Sequence, residues 1–76
     1  MELTLFESQI SSHLVLNDRD SRRMDRVISD VSQTTGMNKQ EVLEFLIYGA
    51  ENELHQLQIS YDWEFFRRKI ESKLKK

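Results

Sequence analysis

The sequence predicts a mostly α-helical protein that forms a single domain over residues 1–76. Apolar residues recur at the three- and four-residue spacing of amphipathic helices, and residues suited to cap helices stand at the ends of these patterns. The chain has two glycines and no proline among its 76 residues. A domain of this size buries only about 60% of the surface that its unfolded chain exposes. We therefore expect a homodimer to supply additional stability.

The composition is typical of a soluble helical protein rather than a disordered one, with 32% charged and 38% apolar residues. No apolar run approaches the roughly 20 residues needed to span a bilayer. The first residues, MELTLFESQ, lack the basic start and apolar core of a signal peptide. There is no cysteine, which excludes disulfides and thiolate zinc sites. We expect a cytoplasmic protein with no membrane partner.

Residues 1–11 are interpreted as an N-terminal extension, and the segment that follows them allows two structures. In SHLVLND the residues alternate, which predicts a short strand over about 12–17 with His13, Val15 and Asn17 on one side. The Thr4–Glu7 pair, however, matches a capping box, and the apolar residues after it follow helical spacing. Both can hold in part, with a helical turn first and a strand from about Ser12.

The next segment predicts a helix over about 21–35. An apolar stripe at i, i+3, i+4 and i+7 supports it. The stripe consists of Met24, Val27, Ile28 and Val31. The opposite face carries Arg19, Arg22, Arg23 and Arg26. We expect these arginines to form a solvated face that pairs with Asp25 and Asp30.

The stretch TTGMNKQEV predicts a tight corner between two helices. Gly36 suits the left-handed position that ends a helix. Asn38 is a good N-cap, and Glu41 three residues later completes a capping box. Met37 and Val42 stand where a hydrophobic staple would form. A second helix is expected over about 38–57, with apolar residues on more than one side, so it must be covered from two directions.

The last segment, residues 58–76, predicts an amphipathic helix over about 61–75 that Ser60 or Asp62 would cap. Its apolar stripe is Trp63, Phe66, Ile70 and Leu74. These four side chains would belong to the core or to a dimer contact, or they would bind a groove on a protein partner.

Charge is distributed unevenly along the chain. Residues 1–66 carry a net charge of −7, whereas residues 67–76 carry +5. An acidic body argues against broad non-specific binding to nucleic acid, which depends on neutralising phosphates. His13 and His55 are far apart, and no glycine-rich phosphate loop is present. We therefore expect no enzymatic activity, no metal site and no cofactor.

From about His13 to Leu54 the chain resembles the ribbon-helix-helix family of small DNA-binding proteins. The resemblance rests on HLVLN, the stripe from Met24 to Val31, and GMNKQEVLEFLI. It implies a swapped dimer whose core is residues 12–57 and whose paired strands enter the major groove. The residues implied to contact bases are His13, Val15 and Asn17. The phosphate contacts implied at the start of the second helix are Asn38, Lys39 and Gln40.

The same corner also fits an all-α helix-turn-helix pattern, in which residues 5–16 form a first helix and Glu44 joins the residues that face the groove. In both patterns the predicted function is a small dimeric DNA-binding transcriptional regulator that recognises a short operator. The alternative is a non-enzymatic protein-interaction module, such as an antitoxin, an inhibitor or an adaptor. The acidic body and the aromatic stretch YDWEFFRR favour that alternative.

Overall fold

Five α-helices make up residues 2–75, which the computed structural model describes. They are α1 (Leu5–Leu14), α2 (Asp18–Thr35), α3 (Lys39–Gly49), α4 (Glu51–Ser60) and α5 (Trp63–Leu74). No β-strand occurs in these residues. The mostly α-helical class is confirmed, and the architecture fits the all-α alternative. Within residues 2–75, no helix has both the length and the apolarity required to cross a bilayer.

The strand expected over residues 12–17 is wrong for this structure, because helix α1 continues to Leu14. The predicted capping box at Thr4 and Glu7 is present and starts the helix. Val15 then adopts a left-handed conformation with φ 54°, and its N–H donates to the carbonyl oxygen of Ser11. A strand needs a neighbouring strand for its backbone groups, whereas this helix satisfies them within the segment. Residues 12–17 therefore form a helix end and a short loop.

The α2–α3 corner is confirmed. Helix α2 starts three residues earlier than expected, because the side chain of Asn17 caps it by accepting from the N–H of Asp20. It ends at Gly36, whose φ of 78° is the left-handed conformation that glycine adopts at little cost. Asn38 and Glu41 then form the predicted capping box, with both reciprocal hydrogen bonds made.

The helix expected over residues 38–57 is divided in two at Ala50, which has the non-helical angles φ −130° and ψ 32°. The preceding Gly49 weakens a helix locally, and a Cβ added to Gly49 would lie 3.1 Å from the ring of Phe45. Ala50 itself is fully buried. The bend lets α3 and α4 follow the same core, and α4 continues to Ser60.

A single cluster of buried apolar side chains joins all five helices. The predicted α2 stripe is part of it, with Met24, Ile28 and Val31 wholly inaccessible. The other buried apolar residues are Ile10, Val27, Val42, Leu43, Leu46, Ala50, Leu57, Phe66 and Ile70. Helix α2 packs against α1, α3 and α5, and the face that points away from these helices is exposed to solvent.

Candidate nucleic-acid interface

The residues expected to contact bases lie at the α1–α2 junction. His13 is exposed at the end of α1, with its Nδ1 2.9 Å from the carbonyl oxygen of Gln9. The side chain of Val15 is 87% exposed. The Oδ1 of Asn17 accepts from the N–H of Asp20 at 2.8 Å. His13 and Val15 are thus accessible, whereas the amide oxygen of Asn17 already has a structural role.

The residues expected to contact phosphate lie at the start of α3. Asn38 uses its Oδ1 to cap that helix, accepting from the N–H of Glu41 at 2.8 Å. Lys39 forms an ion pair with Asp25 and lies over the ring of Phe6, 4.5 Å from its centroid. Gln40 is exposed. Of these three residues, Gln40 is the one whose side chain makes no hydrogen bond, ion pair or ring contact within residues 2–75.

A single chain does not bring these two groups together. They stand at opposite ends of α2, which has 18 residues and is therefore about 27 Å long at about 1.5 Å per residue. A DNA contact that includes both ends would have to follow the length of α2. The exposed face of α2 would therefore lie at the centre of such a contact.

Five polar side chains form a line along that face, which we call the α2 polar stripe. Its members are Arg19, Arg22, Arg26, Ser29 and Gln33. They are three or four residues apart and span roughly 80° of the helix circumference. Arg19, Arg26 and Gln33 are exposed, and the other two are half-buried. The sequence prediction noted the arginines but missed Ser29 and Gln33, although their spacing continues the same line.

The sequence predicts that Asp25 and Asp30 pair with these arginines; Asp30 is exposed beside the stripe, and Asp25 is engaged elsewhere. Asp25 pairs with Lys39, with Nζ 2.7 Å from Oδ1, as an ion pair rather than an aligned hydrogen bond. Asp20 accepts from the hydroxyl of Tyr61 at 2.5 Å. Within residues 2–75, no carboxylate lies at ion-pairing distance from Arg19 or Arg26. The positive charges of Arg19 and Arg26 are therefore not neutralised by an ion pair within the described residues.

Helix α5 borders this surface and contributes fewer available charges. The guanidinium of Arg23 lies 5.5 Å from the centroid of the Trp63 ring. Arg67 pairs with Glu64 and Glu71 along its own helix. Its hydrogen bond to Glu64 lowers the pKa of that carboxyl and raises the pKa of the Arg67 guanidinium. Arg67 is thus committed to neighbouring carboxylates, whereas Arg68 is exposed.

The residues considered for partner binding on α5 are mainly core residues. Phe66 is 4% exposed and Ile70 is fully buried. Trp63 and Leu74 are half-buried and pack against the core. The apolar side chains that remain exposed near α5 are Ile59, Tyr61 and Phe65, at 69%, 48% and 45%. A protein partner of α5 would meet these residues first.

The described residues include no group of three or more His, Cys, Asp or Glu side chains placed to hold a metal ion. The arrangement offers charge and hydrogen-bonding groups for recognition. No protein-family model, curated protein or solved structure matches this chain.

Proposed function

We propose that the protein is a small, dimeric, non-enzymatic DNA-binding regulator that contacts DNA through the α2 polar stripe. The observation that carries this proposal is the stripe itself. Three arginines, a serine and a glutamine follow one line along a single helix, and the exposed Asp30 lies beside this line. His13 at one end of α2 and Gln40 at the other extend the same contact.

The chemistry of these side chains suits a DNA groove. An α-helix fits the major groove of B-DNA, where arginine pairs with guanine and glutamine pairs with adenine. Arginine also forms bidentate contacts with phosphate. Arg19 stands in the first turn of α2, where the helix dipole disfavours cations. Its position is therefore not explained by helix stability, and binding of a polyanion supplies a reason for it.

A homodimer would present two copies of α2 to two half-sites, which are commonly about 34 Å apart in helix-turn-helix complexes. The small size of the chain supports association of two chains, because a domain of 76 residues buries a limited fraction of its surface. An operator with two similar half-sites is the expected target.

Fluorescence anisotropy with duplex DNA from upstream of the protein's own reading frame, and with unrelated duplex, tests the proposal. The double variant Arg19→Gln/Arg26→Gln should bind at least about tenfold more weakly and should lower the salt slope by about two. The matched control Arg68→Gln removes an exposed arginine on α5 and should change affinity by less than about twofold. An absence of binding at low salt, or an equal loss in the control, would refute the proposal.

A protein-interaction module is the second candidate, and exposure of Phe65 beside Ile59 and Tyr61 favours it. Crosslinking in the native cell can compare Phe65→Ser with Tyr48→Ser, which changes an exposed aromatic residue on α3. A partner that is retained by Tyr48→Ser and lost by Phe65→Ser would support a docking role for α5. Equal capture by both variants would reject that role.

A further inference from the structure

The exposed face of α5 carries positive charge that lies outside the α2 polar stripe. Phe65, Arg68, Lys69 and Ser72 are all exposed, and their three- and four-residue spacing places them on one side of the helix. They line a shallow surface depression of about 320 Å³, and we call them the α5 basic patch. The patch overlaps the segment in which the charge of the chain reverses, because residues 67–76 carry +5.

The cations of this patch are not paired with the acidic side chains of their own helix. Glu64 and Glu71 both form ion pairs with Arg67 on the neighbouring flank of α5. Within residues 2–75, no carboxylate lies at ion-pairing distance from Arg68 or Lys69. Both cations are therefore accessible to an anion from solution.

Phe65 gives the patch a flat apolar surface beside these charges. Its side chain is 45% exposed, whereas the neighbouring Phe66 is buried in the core. The Nζ of Lys69 lies 5.9 Å from the centroid of the Phe65 ring, and this long, flexible side chain can turn from the ring to a phosphate. The exposed acid Asp62 stands one turn earlier, where its Oδ1 caps α5 by accepting from the N–H of Phe65. The ring is therefore open to a flat ligand and has cations on the following turn.

An unpaired nucleotide has both features that this patch complements. Its base can stack on an exposed aromatic ring, and its phosphates pair with arginine and lysine. A duplex keeps its bases inside the double helix, so its bases cannot stack on Phe65. A membrane anchor needs a broad apolar helix face, but Phe66 and Ile70 of α5 are buried in the core. An acidic peptide would pair with the cations and leave the ring without a matching surface.

We propose that the α5 basic patch binds single-stranded nucleic acid, with one base stacked on Phe65 and the adjoining phosphates paired with Arg68 and Lys69. The hydroxyl of Ser72, on the next turn of the same face, provides a further hydrogen-bonding group. Two cations bind weakly through charge alone at about 0.1 M salt, so the stacked base provides the larger part of the affinity. This activity goes beyond duplex recognition by the α2 polar stripe, and the two surfaces share no residue.

Fluorescence anisotropy of the full chain with labelled oligothymidylate and oligouridylate, each of about 15 nucleotides, tests this proposal. Phe65→Leu keeps an apolar side chain but removes the ring, so it should bind at least about tenfold more weakly. Phe65→Tyr keeps the ring and should bind within about twofold of wild type. Tyr48→Leu removes an exposed ring from α3 and is the matched control, for which no change is expected. Saturable binding of either strand supports the proposal, and the tighter of the two identifies the preferred sugar.

Charge variants separate this patch from the α2 polar stripe. Arg68→Gln/Lys69→Gln should lower the salt slope of oligonucleotide binding by about 1.4, since each neutralised phosphate of a single strand contributes about 0.7. Arg19→Gln/Arg26→Gln should weaken duplex binding but leave oligonucleotide binding within about twofold of wild type at about 0.1 M salt. Failure of either proposal is therefore recognisable alone.

Several outcomes would overturn the proposal. These are an absence of saturable oligonucleotide binding at about 0.1 M salt, equal affinity of Phe65→Leu and wild type, and binding of anionic lipid vesicles in place of oligonucleotides. Equal affinity for inorganic polyphosphate would also overturn it, since the patch would then recognise charge without a base.

Discussion

Lys39 and Asp25 form an ion pair that joins the start of α3 to the middle of α2, with 2.7 Å between Nζ and Oδ1. The same ammonium lies 4.5 Å from the centroid of the Phe6 ring on α1. Three helices therefore meet at one lysine side chain. This contact engages Lys39, one of the predicted phosphate contacts, and Asp25, which was expected to pair with the arginines of its own helix.

The variant Lys39→Gln should lower the free energy of unfolding by no more than about 1 kcal/mol, because the paired side chains are 41% and 21% exposed and water screens them. Its affinity for DNA should stay within about twofold of wild type, since the stripe on α2 is unchanged. Urea unfolding and fluorescence anisotropy measure these two quantities. A large loss of affinity with unchanged stability would instead assign Lys39 to phosphate binding.

Gly36 is the second testable element of the corner. Its φ of 78° is unfavourable for residues with a side chain, although open space surrounds the position. Gly36→Ala should therefore lower the free energy of unfolding by about 1–2 kcal/mol through backbone strain alone. Gly36→Asn is the matched control and should cost less, because asparagine tolerates the left-handed region. Equal losses in the two variants, measured by urea unfolding, would argue against this cause.

The capped helix starts were predictable from sequence because their signals are local. Thr4 with Glu7, and Asn38 with Glu41, each lie within one turn of the helix that they start. The break at Ala50 had only the weak local signal of Gly49. The alternation around Val15 suits a strand and a helix end equally, because the choice depends on whether another backbone segment lies beside it. The spacing of apolar residues does not show whether such a segment is present.

The candidate site also combines features that are predictable from local sequence with features that depend on contacts between helices. The register of Ser29 and Gln33 with the arginines follows from helical periodicity and was available in the sequence. The partner of Asp25 was not, since Lys39 is distant in sequence and reaches it through the α2–α3 corner. The ion pair of Glu53 with Lys73, 2.5 Å apart, likewise results from the packing of α4 against α5. Contacts between helices therefore determine which charged side chains remain available to bind a ligand.

Replacement of Ile70 tests whether α5 is packed into the core. It is fully buried, whereas Phe65 on the same helix is 45% exposed. Ile70→Ala should lower the free energy of unfolding by about 2–5 kcal/mol, because it removes buried methylene and methyl groups and leaves a cavity. Phe65→Ala should lower it much less. Urea unfolding of the two variants gives the comparison, and similar losses would show that α5 is not packed as described.

Glu64 provides a test of pH dependence. The hydrogen bond from Arg67 holds the pKa of this carboxyl below its ordinary value in the folded chain. The pair therefore contributes stability above the unfolded pKa, and that contribution disappears as the pH falls through the lowered folded pKa. Glu64→Gln should be slightly less stable than wild type at neutral pH, and the difference should vanish in acid. Thermal unfolding over a pH series measures it, with exposed Glu44→Gln as the control.

Val15 distinguishes the helical N-terminus from a strand that pairs between chains. A β-branched residue at φ 54° is strained, and its 87% exposed side chain gains little from packing. Val15→Gly should therefore raise the free energy of unfolding by up to about 1 kcal/mol, since glycine adopts this conformation freely. The adjacent Leu16 packs against the core, so Leu16→Ala is the opposite control and should destabilise. Urea unfolding at several protein concentrations provides the measurement. A concentration-dependent loss of stability in Val15→Gly would contradict the helical end and indicate that residues 12–17 pair between two chains.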